Sequence, residues 1–314
     1  MRSSLKDYKE LTSPTLTQSI LAELGHLPKK IRGQHFLIDG NILRKSIDFA
    51  KIEVGDTIVE VGPGLGVLTQ ALLAEGARVY AVEVDKTMVH CLKKRLLQAI
   101  DQDRGLSKRG SLELYEGDCV EHPLGSLTGK ADLPPFKIVA NLPYAVSSPW
   151  MEKVLAGPLP TRMVLMVQRE AANRYCAVRG SKSYSPISLF LQSAYQLTAT
   201  HHVSHHCFWP KPAVASTLVC FERLPKPFRF SSFARQKIRF LFQHRRKQIG
   251  TLTRGDTTLE AWCDYLVQQG IPSTIRPEAI PEECWQKLPA FLQHEGNPSG
   301  KKSWNQGAKG GGIQ

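Results

Sequence analysis

TIVEVGPGLGVLTQALLAEGARVYAVEVD, residues 57–85, decides how the rest of the chain is read. TIVEVG (57–62) is a short apolar run rich in β-branched residues, and it ends in Gly-Pro-Gly. LGVLTQALLAEG (65–76) has apolar residues at helical spacing and closes on Gly76. ARVYAVEVD (77–85) is again strand-like. Strand, glycine turn, helix, strand is one βαβ unit, and its two strands run parallel through a right-handed crossover.

The same alternation extends outward. A basic helix is expected over 86–100, followed by strands at LELYEG (112–117), FKIVANL (136–142), RMVLMVQ (162–168) and STLVCFER (216–223). The expected fold is α/β, a mostly parallel Rossmann-like sheet with helices on both faces, spanning 31–224. Ahead of it, residues 1–30 form a polar extension with one short helix, Thr15–Leu24, opened by Ser13-Pro14. LPKPF (224–228) reads as a linker. Beyond it FARQKIRFLFQHRRKQI (233–249), TLEAWCDYLVQQG (258–270) and PEECWQKLPAFLQH (281–294) give a small all-helical domain over 225–295. The Gly-, Lys- and Asn-rich tail, 296–314, is expected to be disordered.

Composition narrows the function classes. The 314 residues exceed what a single core usually organises, about 250. With 42% hydrophobic and 22% charged residues the chain is not a disordered one. No run approaches the roughly 20 apolar residues of a membrane span. MRSSLKDYKE has no apolar signal core, and none of the seven cysteines has another two to four positions away. A reduced, cytoplasmic protein without a metal is expected. Its 41 Lys+Arg against 28 Asp+Glu, +13 overall, suit a polyanionic partner such as nucleic acid.

Gly62, Gly64 and Gly66 stand between the first strand and its helix, where backbone can approach a ligand and free N–H groups face it. A dinucleotide loop needs a further glycine at 67, which is Val67. The spacing E-x-G-x-G-x-G from Glu60 instead resembles the cofactor loop of S-adenosylmethionine-dependent methyltransferases. Glu83, ending the second strand, is placed to accept both hydroxyls of a ribose. Asp118, ending the third, is placed to accept from an adenine amino group. Asn141-Leu142-Pro143-Tyr144 ends the fourth strand beside the same crevice. An exocyclic aromatic amine is a poor nucleophile because its lone pair is delocalised into the ring. Fixed acceptors localise that pair. The Asn141 carboxamide oxygen is one, a backbone carbonyl of the Leu142-Pro143 turn a second, and Tyr144 offers a stacking face.

From Gly33 to about Arg223 the chain resembles the KsgA-type small-subunit ribosomal RNA adenine N6,N6-dimethyltransferases. The resemblance rests on GQHFLID, VEVGPGLGVLT, VEVD, EGD, NLPY, MVQREAANR, SKSYSPISLFLQ and FWP. It implies a class I methyltransferase fold and transfer of methyl groups from S-adenosylmethionine to N6 of two adjacent adenosines. Their place is the 3′-terminal hairpin of 16S ribosomal RNA, and each is dimethylated. It implies that His35, Leu37, Gly62, Glu83, Asp118 and Asn141 meet the cofactor, and that Phe208 stacks on the adenine opposite Tyr144. Many such proteins carry Asn at the position of His35, and F-x-P-x-P-K-V-D-S where this chain has FWPKPAVAS. Ala213 and Ala215 thus replace a Lys and an Asp.

Six cations in the helical region, Arg235, Lys237, Arg239, Arg245, Arg246 and Lys247, are expected to hold RNA phosphates, with Lys29, Lys30 and Arg32 as a second basic group. The partner implied is the small ribosomal subunit or its assembly precursor, met by a monomer. His201, His202, His205 and His206 cluster without carboxylates in a metal-binding pattern, so a polar strand end or loop is expected there. Two alternatives stay open: a large-subunit ribosomal RNA adenine methyltransferase of the macrolide-resistance type, and a non-catalytic ribosome-assembly factor.

Overall fold

A computed structural model describes residues 12–25, 34–97, 110–129 and 132–292. Lys29, Lys30, Arg32, Gly33 and the tail from 296 lie outside them. The chain divides into two compact units, Met1–Arg229 and Phe230–Gln314. The division falls after LPKPF, a few residues past the boundary expected at 224. The Leu224 and Phe228 amides donate to the Ala194 and Ser193 carbonyls, at 2.9 and 2.8 Å, and keep that segment on the first unit.

In chain order the first unit carries α1 (Pro14–Glu23), β1 (Phe36–Leu37), α2 (Gly40–Ala50), β2 (Thr57–Val61), α3 (Val67–Ala74), β3 (Arg78–Glu83), α4 (Lys86–Leu92), β4 (Ser111–Glu116) and β5 (Phe136–Asn141). Then follow α5 (Ser147–Val154), β6 (Arg162–Gln168), α6 (Arg169–Tyr175), α7 (Pro186–Gln192), β7 (Tyr195–Val203), β8 (Phe208–Trp209) and β9 (Ser216–Arg223). Seven strands form one sheet in the order β4-β3-β2-β5-β6-β9-β7. β2 to β6 run parallel to one another, whereas β9 lies antiparallel to both β6 and β7. Every residue of β2 is buried, including Glu60, as expected of a strand covered on both faces. α1 and α2 begin where Ser13 and Asp39 accept hydrogen bonds from the first-turn amides.

Strand order reverses between β2 and β5. Their ladder holds only from Thr57 opposite Phe136 to Val59 opposite Ile138. Beyond that, Glu60 and Val61 stay with β3, while Val139 to Asn141 stay with β6. The two carboxyl ends part, and a crevice opens there.

Two features have little signal in the sequence. β7 is a nine-residue strand at the sheet margin, and it carries His201 and His202. Most of it is exposed and polar, so the apolar alternation that would betray a strand is missing. β1 and β8 pair as a separate two-stranded ribbon, Phe36 opposite Trp209 and Leu37 opposite Phe208.

The second unit holds α8 (Ser232–Gln243), α9 (Ile249–Leu252), α10 (Thr257–Gln268) and α11 (Glu282–Leu292). The single helix expected over 233–249 is therefore broken. Residues 244–248 form a turn, because the Ile249 and Gly250 amides leave the helical ladder to donate to the Ile275 and Ser273 carbonyls at 2.8 and 2.9 Å. Trp262 and Trp285, both fully buried, pack with ring centroids 4.8 Å apart, and Phe242 lies 5.7 Å from Trp285. Trp262 Nε1 donates to the Cys284 carbonyl at 3.1 Å, but the buried Trp285 Nε1 has no partner among the described residues. Trp285→Ala should therefore cost about 3–5 kcal/mol in urea unfolding. Trp285→Phe, which keeps a ring and loses an N–H that bonds nothing, should cost well under half as much.

Candidate functional site

At the parting of β2 and β5 lies a cavity of about 330 Å³. Its wall includes His35, Leu37, Gly62, Gly64, Glu83, Asp118 and the whole tetrad Asn141, Leu142, Pro143, Tyr144. Residues drawn from five separate sequence motifs thus meet in one place.

The glycine loop explains how they come so close. Gly62, Gly64 and Gly66 have φ of +67°, +56° and +82°, the left-handed region that side chains rarely adopt. A Cβ on Gly62 would stand 3.0 Å from Pro143 Cγ, and one on Gly64 3.1 Å from Phe36 Cε1. Bare backbone at these positions lets the loop lie against the NLPY turn and β1. Gly66 belongs to the packing behind the loop: it caps α3, and a Cβ there would meet Leu92 Cδ2 at 2.6 Å. It does not line the cavity.

Glu83 is buried at the end of β3. Its Oε2 accepts from the Gly64 amide at 3.3 Å and its Oε1 from the Asp85 amide at 2.9 Å. The carboxylate is thereby fixed against the loop, with lone pairs left over for hydroxyl donors. Burial raises its pKa against the opposing pull of those amides. Asp118 is exposed at the rim, where its Oδ1 caps a turn through the Val120 amide at 2.7 Å.

Asn141 donates from Nδ2 to the His35 carbonyl at 3.4 Å. Only the amide nitrogen can bond a carbonyl, so this contact fixes the flip of the side chain and assigns Oδ1 the role of acceptor. The Tyr144 hydroxyl and Ser216 Oγ are 2.6 Å apart, which anchors the ring, and the His35 ring lies 5.4 Å from it. His35 Nδ1 lies 2.6 Å from the Pro210 carbonyl and must carry the proton of that bond. The His35 side chain thus joins the pre-β1 segment to the turn after β8.

Two expected site residues, Phe208 from the resemblance and Arg235 from the run of cations, are not placed as expected. Phe208 is 2% exposed and packs in the core with its ladder partner Leu37. It is not part of the cavity wall, because β1–β8 pairing turns its ring inward. Arg235 is 5% exposed on the inner side of α8, so it presents no guanidinium to a phosphate. Lys237 is paired with Asp256 at 2.5 Å and Arg245 with Glu278 at 3.6 Å, while Arg246 and Lys247 are exposed on the turn after α8. Among the described residues no group of three or more His, Cys, Asp or Glu side chains is arranged to hold a metal.

Glu60 also lines the cavity, although its only mark in the sequence is the spacing to the glycines. It is 1% exposed, and its Oε2 has no hydrogen-bond partner among the described residues. Burial, with a smaller push from Glu83, raises its pKa from 4.5 to about 8. Thr69 opposes the shift, by more than Glu83 adds to it, but does not overcome burial. A glycine cradle, an anchored acid and an unpaired buried carboxyl facing one cavity fit a cationic nucleoside such as S-adenosylmethionine.

A family model described as ribosomal RNA adenine dimethylase matches residues 25–262. The chain belongs to that family. It is 50% identical over 278 residues to ribosomal RNA small subunit methyltransferase A of Opitutus terrae, covering 88% of this chain and 97% of that one. It is 32% identical to the protein of the same description from Moorella thermoacetica, covering 90% and 99%. Among solved structures it is similar to a dimethyladenosine transferase from Plasmodium falciparum, with a TM-score of 0.67 and 27% identity over 83% of this chain and 98% of that one. The 23S rRNA methyltransferase ErmE, at 20% identity and a TM-score of 0.56, shares the fold.

The Glu60 carboxyl makes a checkable statement about stability. Between its unfolded pKa near 4.5 and its folded pKa of about 8, the folded chain binds a proton that the unfolded chain has released. Stability must then fall as pH rises through that window, at up to about 1.4 kcal/mol per pH unit from this group. Urea unfolding of the ligand-free protein at about pH 5.5 and 7.5 should show the loss, and Glu60→Gln should flatten it.

Proposed function

We propose that this chain transfers methyl groups to N6 of two adjacent adenosines in the 3′-terminal hairpin of small-subunit (16S) ribosomal RNA, dimethylating each. The orientation of Asn141 carries the reading. With Nδ2 tied to the His35 carbonyl, Oδ1 is a preorganised acceptor for one hydrogen of the adenine amine. A carbonyl of the Leu142-Pro143 turn supplies a second, so that the nitrogen lone pair is directed out of the ring. Tyr144, held through Ser216, gives the base a flat surface. No strong base is required of the chain, because the amine proton becomes acidic once the nitrogen is alkylated, and water can take it.

When bound, S-adenosylmethionine supplies an electrophilic methyl carbon. The residues that would hold it are His35 and Leu37 ahead of the loop, Gly62 and Gly64 within it, Glu83 for the ribose hydroxyls, Asp118 for the adenine amine, and Asn141 at the methionine end. Glu60, whose pKa burial raises to about 8, adds a buried carboxyl to the same wall. A chain that only bound RNA would need none of these groups, which disfavours the assembly-factor reading. Kinship with proteins described as small-subunit methyltransferases disfavours the large-subunit one.

The substrate in this reading is the small subunit or its assembly precursor, met in the cytoplasm by a monomer that uses no metal and takes part in ribosome biogenesis. Among the described residues no helix is long and apolar enough to cross a membrane. Of the six cations named from the sequence, Arg246 and Lys247, exposed on the turn after α8, are placed to position RNA phosphates.

The function is tested by incubating the protein and S-adenosylmethionine with purified small subunits that lack the modification and mapping the products. Dimethyladenosine at two neighbouring positions near the 3′ end is expected, and methyl groups confined to large-subunit RNA would overturn the reading. The cofactor half is tested by calorimetry. Glu83→Ala should weaken S-adenosylmethionine binding roughly 10- to 100-fold for each hydrogen bond lost, and unchanged affinity in a folded variant would place the ribose elsewhere.

A further inference from the structure

Among the described residues, the exposed large apolar side chains include only two aromatic rings, Phe233 at 40% and Phe240 at 46% exposure. Both lie on α8, seven residues apart and so on one face, roughly 10 Å from each other along the axis. Lys237 stands between them on that face, its Nζ 5.3 Å from the centre of the Phe233 ring. His244, one turn further on, lies with its ring 5.3 Å from Phe240. The opposite face, with Ala234, Ile238, Leu241 and Phe242, is the one that packs into the core. A solvated helix face has no reason to display two phenylalanines, and a buried one has no reason to leave them half exposed.

We propose that the stripe Phe233–Lys237–Phe240–His244 is a docking surface for unpaired nucleotides of the ribosomal RNA substrate, the two rings stacking on bases. The proposal rests on the RNA-methylating function given above. Charge selects the occupant. From Ser232 to Gln248 the chain carries no Asp or Glu, and of its six Arg and Lys residues Arg235 is buried while Lys237 and Arg245 are paired with Asp256 and Glu278. Arg246 and Lys247 are exposed just beyond the stripe. Aromatic faces interleaved with cations match single-stranded nucleic acid, whose bases each have a π-face and whose linkages each carry a negative charge. A protein partner held by apolar contact would favour a continuous apolar patch, and here Lys237 separates the two rings while Gln236 and Gln243 flank them on the exposed side. The surface adds affinity that does not depend on base identity, because every base can stack.

The test compares two labelled hairpin RNAs, one with an unpaired loop and one fully paired, titrated against the full chain and its Phe233→Leu, Phe240→Leu and doubly substituted forms. Leucine keeps the apolar bulk and removes the stacking face, and both sites are exposed enough for the fold to survive, which a thermal melt confirms. Each leucine should weaken binding of the looped RNA roughly 5- to 100-fold. Paired RNA and the salt dependence set by Arg246 and Lys247 should be unaffected, and Phe240→Trp should retain or raise affinity. Leucine variants that bind looped RNA as the parent does, while the parent methylates small subunits, would overturn the stripe alone. Equal losses on looped and paired RNA would overturn it too. A parent protein that neither binds RNA nor methylates small subunits would overturn the underlying function with it.

Discussion

β2 and β5 share a ladder only as far as Val59 and Ile138, and the rest of the site depends on their parting. The last residues of each strand stay paired on their outer sides, so the chain ends at the crevice in a fixed direction without closing it. Loop 62–66 leaves β2, and the NLPY turn leaves β5, on either side of that gap. Because Gly62 has no Cβ, the two connections touch through the Pro143 ring. Any larger residue at 62 would meet both a left-handed φ and a collision. One topological feature thus brings a cofactor cradle and an amine acceptor within the same small cavity.

The electrostatics of the molecule run in two opposite directions. The chain as a whole is basic, +13, as a binder of a polyanion should be. The cavity is nevertheless walled by Glu60, Glu83 and Asp118. A cationic sulfonium nucleoside and a phosphate backbone make contrary demands, and the fold answers them in different places. Burying two carboxyls has a consequence: desolvation raises both pKa values, that of Glu60 to about 8. That arrangement leaves the ligand-free protein less stable as pH rises.

Much of this was legible in residues 57–85, because β-branched runs ending at glycines admit few other structures. β6 and β9 lie at 162–168 and 216–223, as read, since their apolar patterns are uninterrupted. The members of the cavity wall were legible as motifs at strand ends, the one place where an α/β sheet can gather them. What escaped is what tertiary context decides. The β1–β8 ribbon depends on pairing across the fold and turns Phe208 inward, where the family resemblance implied a stacking ring. Arg235 looks like its neighbours Lys237 and Arg239 in a list of cations, yet helical phase sends it inward. The break after Gln243 comes from backbone bonds to residues 273 and 275 that no local propensity foretells. Glu60 was hidden because a glutamate inside a strand reads as a spacer until its burial is known.

The central claim is that Asn141 acts as an acceptor in the transition state, and its most direct test is single-turnover methylation by Asn141→Ala at saturating cofactor. If the side chain served only to tie β5 to the His35 carbonyl, its loss would cost about 1 kcal/mol of stability and leave most of the rate. A preorganised acceptor whose bond strengthens as the nitrogen becomes tetrahedral predicts instead a fall of roughly 10²–10³ in the chemical step. Asn141→Asp, which keeps an acceptor, should retain more activity than Asn141→Ala. A folded Asn141→Ala protein that transfers methyl groups at nearly the parent rate would contradict the account.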